Sequence, residues 1–202
     1  MIVESKVVKL EEYGSPSVLK LENENVQEPG AGEIRIRHTF SGLNFIDIYQ
    51  RKGLLKALTG EPPITLGMEA AGVVESVGQD VVDFKEGDRV SHCMIRGAYA
   101  EFMVIPATRG IKLPSDISDE VAAASTLQGL TAQYLLHSSW TLSSGQRVLI
   151  QAAAGGVGLF LCQWAKHLGA TVFGTVSTKD KAALAAANGC DHPIIYTEED
   201  FE

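Results

Sequence analysis

The run Ala152-Ala153-Ala154-Gly155-Gly156-Val157-Gly158 constrains this chain more than any other stretch, because of what flanks it. Before it, Gln146-Arg147-Val148-Leu149-Ile150-Gln151 is a short apolar run with strand character. After it, Val157, Phe160, Leu161, Trp164, Ala165 and Leu168 recur at helical spacing, and Gly169 supplies a C-terminal stop. Where a strand turns into a helix across glycines, unpaired backbone N–H groups and the positive end of the helix dipole converge on one spot, which favours a pyrophosphate. Set against G-x-G-x-x-G, Gly155 and Gly158 fill the second and third glycine positions and Ala153 stands at the first. A second strand, Thr171–Val176, follows about twenty residues on, as the dinucleotide fingerprint requires. An alanine-rich helix then ends near Asn188-Gly189, and Ile194-Ile195-Tyr196 begins a third strand. The order βαβαβ predicts a parallel sheet.

The first half of the chain reads differently. Ile34–Phe40, Ala70–Val77, Arg89–Ser91 and Tyr99–Ile105 are short strand-like runs separated by turn residues, the pattern of a small barrel-like β domain. Near Pro114 the Val-rich pattern gives way to Val121-Ala122-Ala123-Ala124-Ser125-Thr126-Leu127-Gln128, which predicts a helix capped by Ser118, with Asp119 and Glu120 at its positive end. The expected division is 1–124 and 125–202.

Charge and cysteine usage exclude several classes. With 25 acidic against 17 basic residues, a formal net charge of -8, the chain has no basic field for nucleic acid, which is set aside as a primary partner. No apolar run approaches the ~18 residues of a membrane span, and the first residues lack the long apolar region of a secretory signal. No membrane is expected as a partner, and a cytoplasmic location is. Cys93, Cys162 and Cys190 are far apart and without C-x-x-C spacing, so they read as reduced, buried thiols. His92 beside Cys93 does not make a metal pair, because adjacent strand side chains point to opposite faces.

The end of the second strand distinguishes the two nicotinamide cofactors, since an acid there bonds the ribose hydroxyls of NAD. Here the stretch is Ser177-Thr178-Lys179-Asp180-Lys181. A hydroxyl at Ser177 and positive charge from Lys179 or Lys181 suit a 2′-phosphate, so NADPH is the expected cofactor, with Asp180 as the opposing charge in the group.

Five motifs now occur in register: Ser41-Gly42-Leu43-Asn44-Phe45-Ile46-Asp47, Leu66–Val74, Gly97-Ala98-Tyr99-Ala100-Glu101, Gln128-Gly129-Leu130-Thr131-Ala132 and the alanine-glycine turn. In this order they resemble the quinone oxidoreductases of the ζ-crystallin type, within the medium-chain dehydrogenase/reductase superfamily. The resemblance implies a GroES-like β-barrel domain followed by the first part of a Rossmann doubly wound parallel sheet, with the active site in the cleft between them. It implies a chain that stops before the Rossmann sheet is finished, and a homodimer for the full-length protein. It places Asn44, Phe45, Ile46 and Asp47 by the nicotinamide, Thr131 and Tyr134 along the cofactor cleft, Ala154, Gly155, Gly156 and Val157 at the pyrophosphate, and Ser177, Lys181 and Tyr196 around the adenosine ribose and its phosphate.

Zinc-dependent members of the superfamily carry cysteine and histidine where this sequence has Asn44 and Met68, neither a good zinc ligand, and no metal is expected. The implied chemistry is hydride transfer to an acceptor that is already electrophilic, a quinone or, as an alternative, an enone or enoyl thioester; a non-catalytic NADPH-binding protein is the third reading. Relatives commonly have a tyrosine where this chain has Leu55, in Lys52-Gly53-Leu54-Leu55-Lys56, and the loop Ala57–Pro63 after it is expected to differ in shape. No general acid is assigned.

Overall fold

The computed structural model describes residues 1–200, Leu58 by its backbone alone. The chain divides into two compact units, Met1–Leu127 and the residues from Gln128 onward.

The first unit contains β1 (Val3–Leu10), β2 (Leu19–Val26), β3 (Glu33–Ser41), α1 (Phe45–Arg51), α2 (Lys56–Thr59), β4 (Ile64–Thr65), β5 (Glu69–Val77), β6 (Arg89–Cys93), β7 (Phe102–Pro106) and β8 (Ile111–Lys112). Antiparallel pairing gives a five-stranded sheet, β7-β3-β5-β6-β8, and a three-stranded sheet, β2-β1-β4. Period-two alternation in β3 and β5 turns Ile34, Ile36 and Val74 onto one buried face with Val90, Phe84 and Ile105. The three-stranded sheet packs on Leu10, Ile64 and Leu66.

The sequence does not announce the β1–β2 hairpin, because its more buried face mixes Val3 and Val7 with Ser5 and Lys9. Lys9 pairs there with Glu24 and Glu22, so Glu22 and Glu24 sit where an apolar alternation would normally be. The strand expected at 99–105 is shorter. β7 starts at Phe102, and residues 99–101 instead join the two sheets: the N–H of Val8 donates to Tyr99 O at 2.8 Å, that of Glu101 to Lys6 O at 3.0 Å, and that of His38 to Glu101 O at 2.8 Å. The loop expected from Ala57 begins inside the helical turn α2.

Arg35 is fully buried in β3. Its Nε donates to Glu75 at 2.6 Å and its Nη1 to the carbonyls of Met1 at 2.8 Å and Gln27 at 3.1 Å, which supplies the partners a buried charge requires.

Helix α3 (Asp119–Tyr134) is longer than the alanine run suggests and continues as one turn of π-helix, Leu135–Ser139. Ser118 Oγ accepts the Val121 N–H at 3.2 Å, the expected cap, and Asp119 accepts from Arg89 Nε at 2.8 Å and Thr39 Oγ1 at 2.7 Å. The unit boundary at 127/128 falls within α3.

In the second unit, β9 (Arg147–Ile150), α4 (Gly156–His167), β10 (Thr171–Val176), α5 (Lys179–Ala187) and β11 (His192–Ile195) build a parallel sheet in the order β11-β10-β9. Its core is Ile150, Val172 and Val176 against Cys162, Ala165 and Ala185 of the two helices. Cys93, Cys162 and Cys190 are all free and buried, and burial pushes the Cys162 thiol up to about 12. No helix among the described residues is long and apolar enough to cross a membrane.

Candidate functional site

Three stretches of the second unit follow the carboxyl ends of its parallel strands, where open α/β sheets bind ligands. They are the glycine turn after β9, Ser177 after β10 and Tyr196 after β11.

Ala152 adopts a left-handed backbone with φ 52, and this makes the turn sharp. Thr175 of β10 braces it: its Oγ1 accepts the Ala152 N–H at 3.2 Å and donates to Gln151 Oε1 at 2.6 Å, and its carbonyl accepts the Ala153 N–H at 3.0 Å. Gly155 caps α4, and Gly155 and Gly156 are exposed while Gly158 is buried. The N–H groups of Gly156, Val157 and Gly158 lie in the first turn of α4, where no carbonyl of their own helix can accept them. A side chain on Gly158 would place its Cβ 2.2 Å from Ala152 O, so this glycine is what lets α4 start directly beneath the turn.

Alanine at the first fingerprint position is accommodated from the neighbouring strand. Ala153 is fully buried, and a Cβ on Gly174 would lie 2.5 Å from the Ala153 Cβ and 2.8 Å from Cys190 Sγ. The Ala153 methyl thus uses the space that Gly174 leaves open. Gly174→Ala should destabilise the protein by about 2 kcal/mol, and adding Ala153→Gly should recover roughly half of it, since only the Cys190 contact remains. Urea unfolding of the two single variants and the double variant measures this coupling, and strictly additive losses would contradict it.

Ser177 and Lys181 meet: Lys181 Nζ donates to Ser177 Oγ at 3.2 Å, across the first turn of α5, which Thr178 caps by accepting the Lys181 N–H at 3.3 Å. Lys179 faces elsewhere, its Nζ 4.0 Å from Glu198. Tyr196 is half exposed, and its N–H donates to Val176 O at 3.1 Å, which sets it beside the end of β10. Thr131 and Tyr134 lie on α3, Thr131 half-buried and Tyr134 half exposed.

The residues from Asn44 to Asp47 open α1 in the first unit. Phe45 is exposed, with 74% of its surface free, and Ile46 is half-buried. Asp47 points inward instead: its Oδ2 accepts the Asn44 N–H at 2.8 Å and the Tyr99 hydroxyl at 2.7 Å, and burial raises its pKa. It therefore fixes the start of α1, while its Oδ1 has no hydrogen-bond partner among the described residues. A cavity of about 380 Å³ opens beside this turn, walled mainly by Leu43, Phe45, Ile48 and Leu66, with Asp47 contributing to its lining. Leu55 precedes α2 and lies outside that lining.

Asn44 and Met68 are already engaged with other groups. Asn44 Nδ2 donates to Glu69 at 2.9 Å, and Met68 Sδ accepts from Gln50 Nε2 at 3.2 Å, so this donor set does not fit zinc. Sequence reasoning passed over Glu69 although the motif contains it; an acid directly ahead of the apolar run 70–74 was the available signal. His92, next to Cys93, has its ring on His38, with the two Nε2 atoms 2.9 Å apart.

Two family models match, the alcohol dehydrogenase GroES-like domain over residues 30–115 and the domain described as zinc-binding dehydrogenase over residues 156–202. The second stretch lies beyond both Asn44 and Met68. A 2-haloacrylate reductase from Burkholderia sp is 48% identical over 192 residues, which are 93% of this chain and 58% of the relative. A quinone oxidoreductase from Pseudomonas aeruginosa is 46% identical over 196 residues, 96% of this chain and 60% of the relative. The crystal structure of Escherichia coli quinone oxidoreductase complexed with NADPH superposes with a TM-score of 0.93 at 42% identity, covering 96% of this chain and 60% of that one. This chain thus spans 58–60% of the length of these relatives. It belongs to the quinone oxidoreductase family of the medium-chain dehydrogenase/reductases.

Proposed function

We propose that the protein is an NADPH-dependent oxidoreductase that passes a hydride to a quinone without a metal. The observation that carries this reading is the Ser177–Lys181 pair at the end of β10, next to a turn shaped for a pyrophosphate. The residues fit the cofactor: Ala154, Gly155, Gly156 and Val157 would hold the pyrophosphate, Ser177 and Lys181 the 2′-phosphate, and Tyr196 the adenosine ribose. Thr131 and Tyr134 would line the cofactor, with Asn44, Phe45 and Ile46 towards the nicotinamide and Asp47 holding their turn in place. When bound, NADPH supplies the hydride. The solved Escherichia coli relative holds NADPH, which supports the same choice here.

The apolar cavity beside Asn44 suits a flat, weakly polar acceptor, which it would orient while keeping water away. Because a quinone is already electrophilic, orientation is the main task left to the chain. The 48% identity to a 2-haloacrylate reductase favours a second reading, reduction of an activated carbon–carbon double bond. The family-based expectation of a homodimer belongs to the whole protein, and so does its assignment to the cytoplasm.

Lys181→Ala is expected to weaken NADPH about tenfold or more, the worth of one charge-assisted hydrogen bond, with little change for NADH. Wild-type protein that binds NADH more tightly than NADPH would overturn the cofactor assignment. Steady-state rates with 1,4-benzoquinones, enones and enoyl thioesters decide the acceptor. Quinone turnover supports the first reading, turnover of the alkenes alone supports the second, and binding without any turnover would leave a non-catalytic NADPH-binding protein.

A further inference from the structure

Ala152 stands out within the glycine turn because it is not a glycine. Its φ of 52 is a left-handed backbone, which an L-residue adopts only at a cost and keeps only where neighbouring groups hold it. Three hydrogen bonds hold it here. The Ala152 carbonyl accepts the Gly155 N–H at 2.8 Å, the Ala153 N–H donates to Thr175 O at 3.0 Å, and the Ala152 N–H donates to Thr175 Oγ1 at 3.2 Å. The first two join backbone atoms and would survive any side chain at 175. The third needs a hydroxyl.

That hydroxyl has its direction fixed. Gln151 Oε1, 2.6 Å from Thr175 Oγ1, can only accept, so the Thr175 proton points to it and a lone pair of Oγ1 is left for the Ala152 N–H. Thr175 is itself buried, and it lies two residues before Ser177 on the strand whose end carries the Ser177–Lys181 pair. Ala152 in turn sets the start of α4, since its carbonyl holds the N–H of the Gly155 cap and packs against Gly158 with no room for a Cβ.

We propose that Thr175 is a positioning residue for the cofactor, its hydroxyl holding Ala152 in the left-handed conformation that aims the first-turn N–H groups of α4 at the pyrophosphate. This rests on the reading above that the turn after β9 takes the pyrophosphate of a dinucleotide. Thr175 acts through the backbone of Ala152 and not by contact with the ligand.

Two ligands separate this role from general support of the sheet. NADP+ carries both the pyrophosphate and the 2′-phosphate, whereas 2′-AMP carries only the 2′-phosphate, which Ser177 and Lys181 would hold. Thr175→Val removes the hydroxyl at nearly constant size, so NADP+ should bind about 5- to 10-fold more weakly, the worth of one hydrogen bond, while the Kd of 2′-AMP should change by less than about twofold. Thr175→Ser returns the hydroxyl without the methyl and should bind NADP+ within about twofold of wild type. Calorimetric titration of the three proteins with both ligands reads each constant.

NADP+ bound by Thr175→Val as tightly as by wild type would overturn the assignment. So would an equal loss for both ligands, which a loosened sheet gives, or a serine variant no better than the valine one. If Thr175→Val does not fold, Gln151→Leu decides: the hydroxyl loses its acceptor and its fixed direction, NADP+ should weaken about threefold with 2′-AMP unchanged, and an unchanged NADP+ affinity refutes the role. The pyrophosphate is common to both nicotinamide dinucleotides. A wild-type protein that prefers NADH therefore defeats the NADPH reading alone, and the same comparison with NAD+ and adenosine then decides for Thr175; a protein that binds neither dinucleotide defeats both.

Discussion

Gly158→Ala should lower stability by about 2 kcal/mol or more and abolish measurable retention of NADPH, although helix propensity alone would make the same substitution favourable by about 1 kcal/mol. The new Cβ would sit 2.2 Å from Ala152 O and 2.8 Å from both Cα and C of Ala153. These are backbone atoms of the turn itself, braced by Thr175, and they cannot swing aside as a long side chain could. α4 would have to move away from β9, and the first-turn N–H groups would move with it. Gly129 provides the opposite sign in the same protein. It lies within α3, and a Cβ there meets nothing within 4 Å beyond its own helix. Gly129→Ala should therefore stabilise by about 0.5–1 kcal/mol. Urea unfolding of both variants, with cofactor titration followed by fluorescence, tests the pair; a stabilised Gly158→Ala would mean that the close approach of helix and turn is not needed.

The difference between these two glycines shows what the sequence could reveal and what it could not. The strand, turn and helix around Gly158 were legible because the periodicities that define them are local, and the spacing of Ser177 from the turn follows from the same βαβ unit. Ala153 looked like a defect in the fingerprint until Gly174, on the neighbouring strand, was seen to leave room for its methyl; that compensation depends on strand pairing. Within the first unit, the partners that matter are farther apart in sequence. Glu69 joins a loop 25 residues before it to a helix 58 residues after it; the apolar run that follows it marks the acid as unusual but does not reveal either partner. Asp47 is legible as part of the 44–47 motif, but its capping role is not: its Oδ2 accepts the Asn44 N–H and the hydroxyl of Tyr99, 52 residues further on. The β1–β2 hairpin stayed hidden because its inner face mixes buried Val7 and Ser5 with the ion pairs of Lys9 and shows no clean apolar alternation.

The His38–His92 pair leads to a second large effect, on acid stability. The Ala100 carbonyl, 2.8 Å from His38 Nδ1, can only accept, so Nδ1 carries the proton and His38 Nε2 is the acceptor of a neutral ring. His92 Nε2–H then donates to it at 2.9 Å, and His92 Nδ1 is left buried without a partner among the described residues. Both rings are thus neutral in the folded protein. Burial lowers the pKa of each, and for His92 burial, His38 and Arg109 together bring it to about 3. In the unfolded chain a histidine titrates near 6.5, so below that pH the unfolded state binds protons that the folded state refuses, and stability falls as pH falls. For His92 the slope starts at about half of 1.4 kcal/mol per pH unit at pH 6.5 and approaches that full value below it, which amounts to about 2 kcal/mol between pH 6.5 and pH 4.5, and His38 adds to it with the same sign. The carboxylates of Glu75, Asp88 and Asp191, held low by Arg35, Lys112 and Lys166, contribute losses only as pH drops below the ordinary carboxylate values of 4.5 and 3.8. Asp47, raised by burial, acts in the opposite direction. The interval from about pH 6.5 to 4.5 therefore reports mainly on the histidine pair. His92→Gln keeps a donor for His38 Nε2 and removes one titrating ring, so urea unfolding across this interval should show a visibly shallower decline; an unchanged slope would place the acid sensitivity elsewhere.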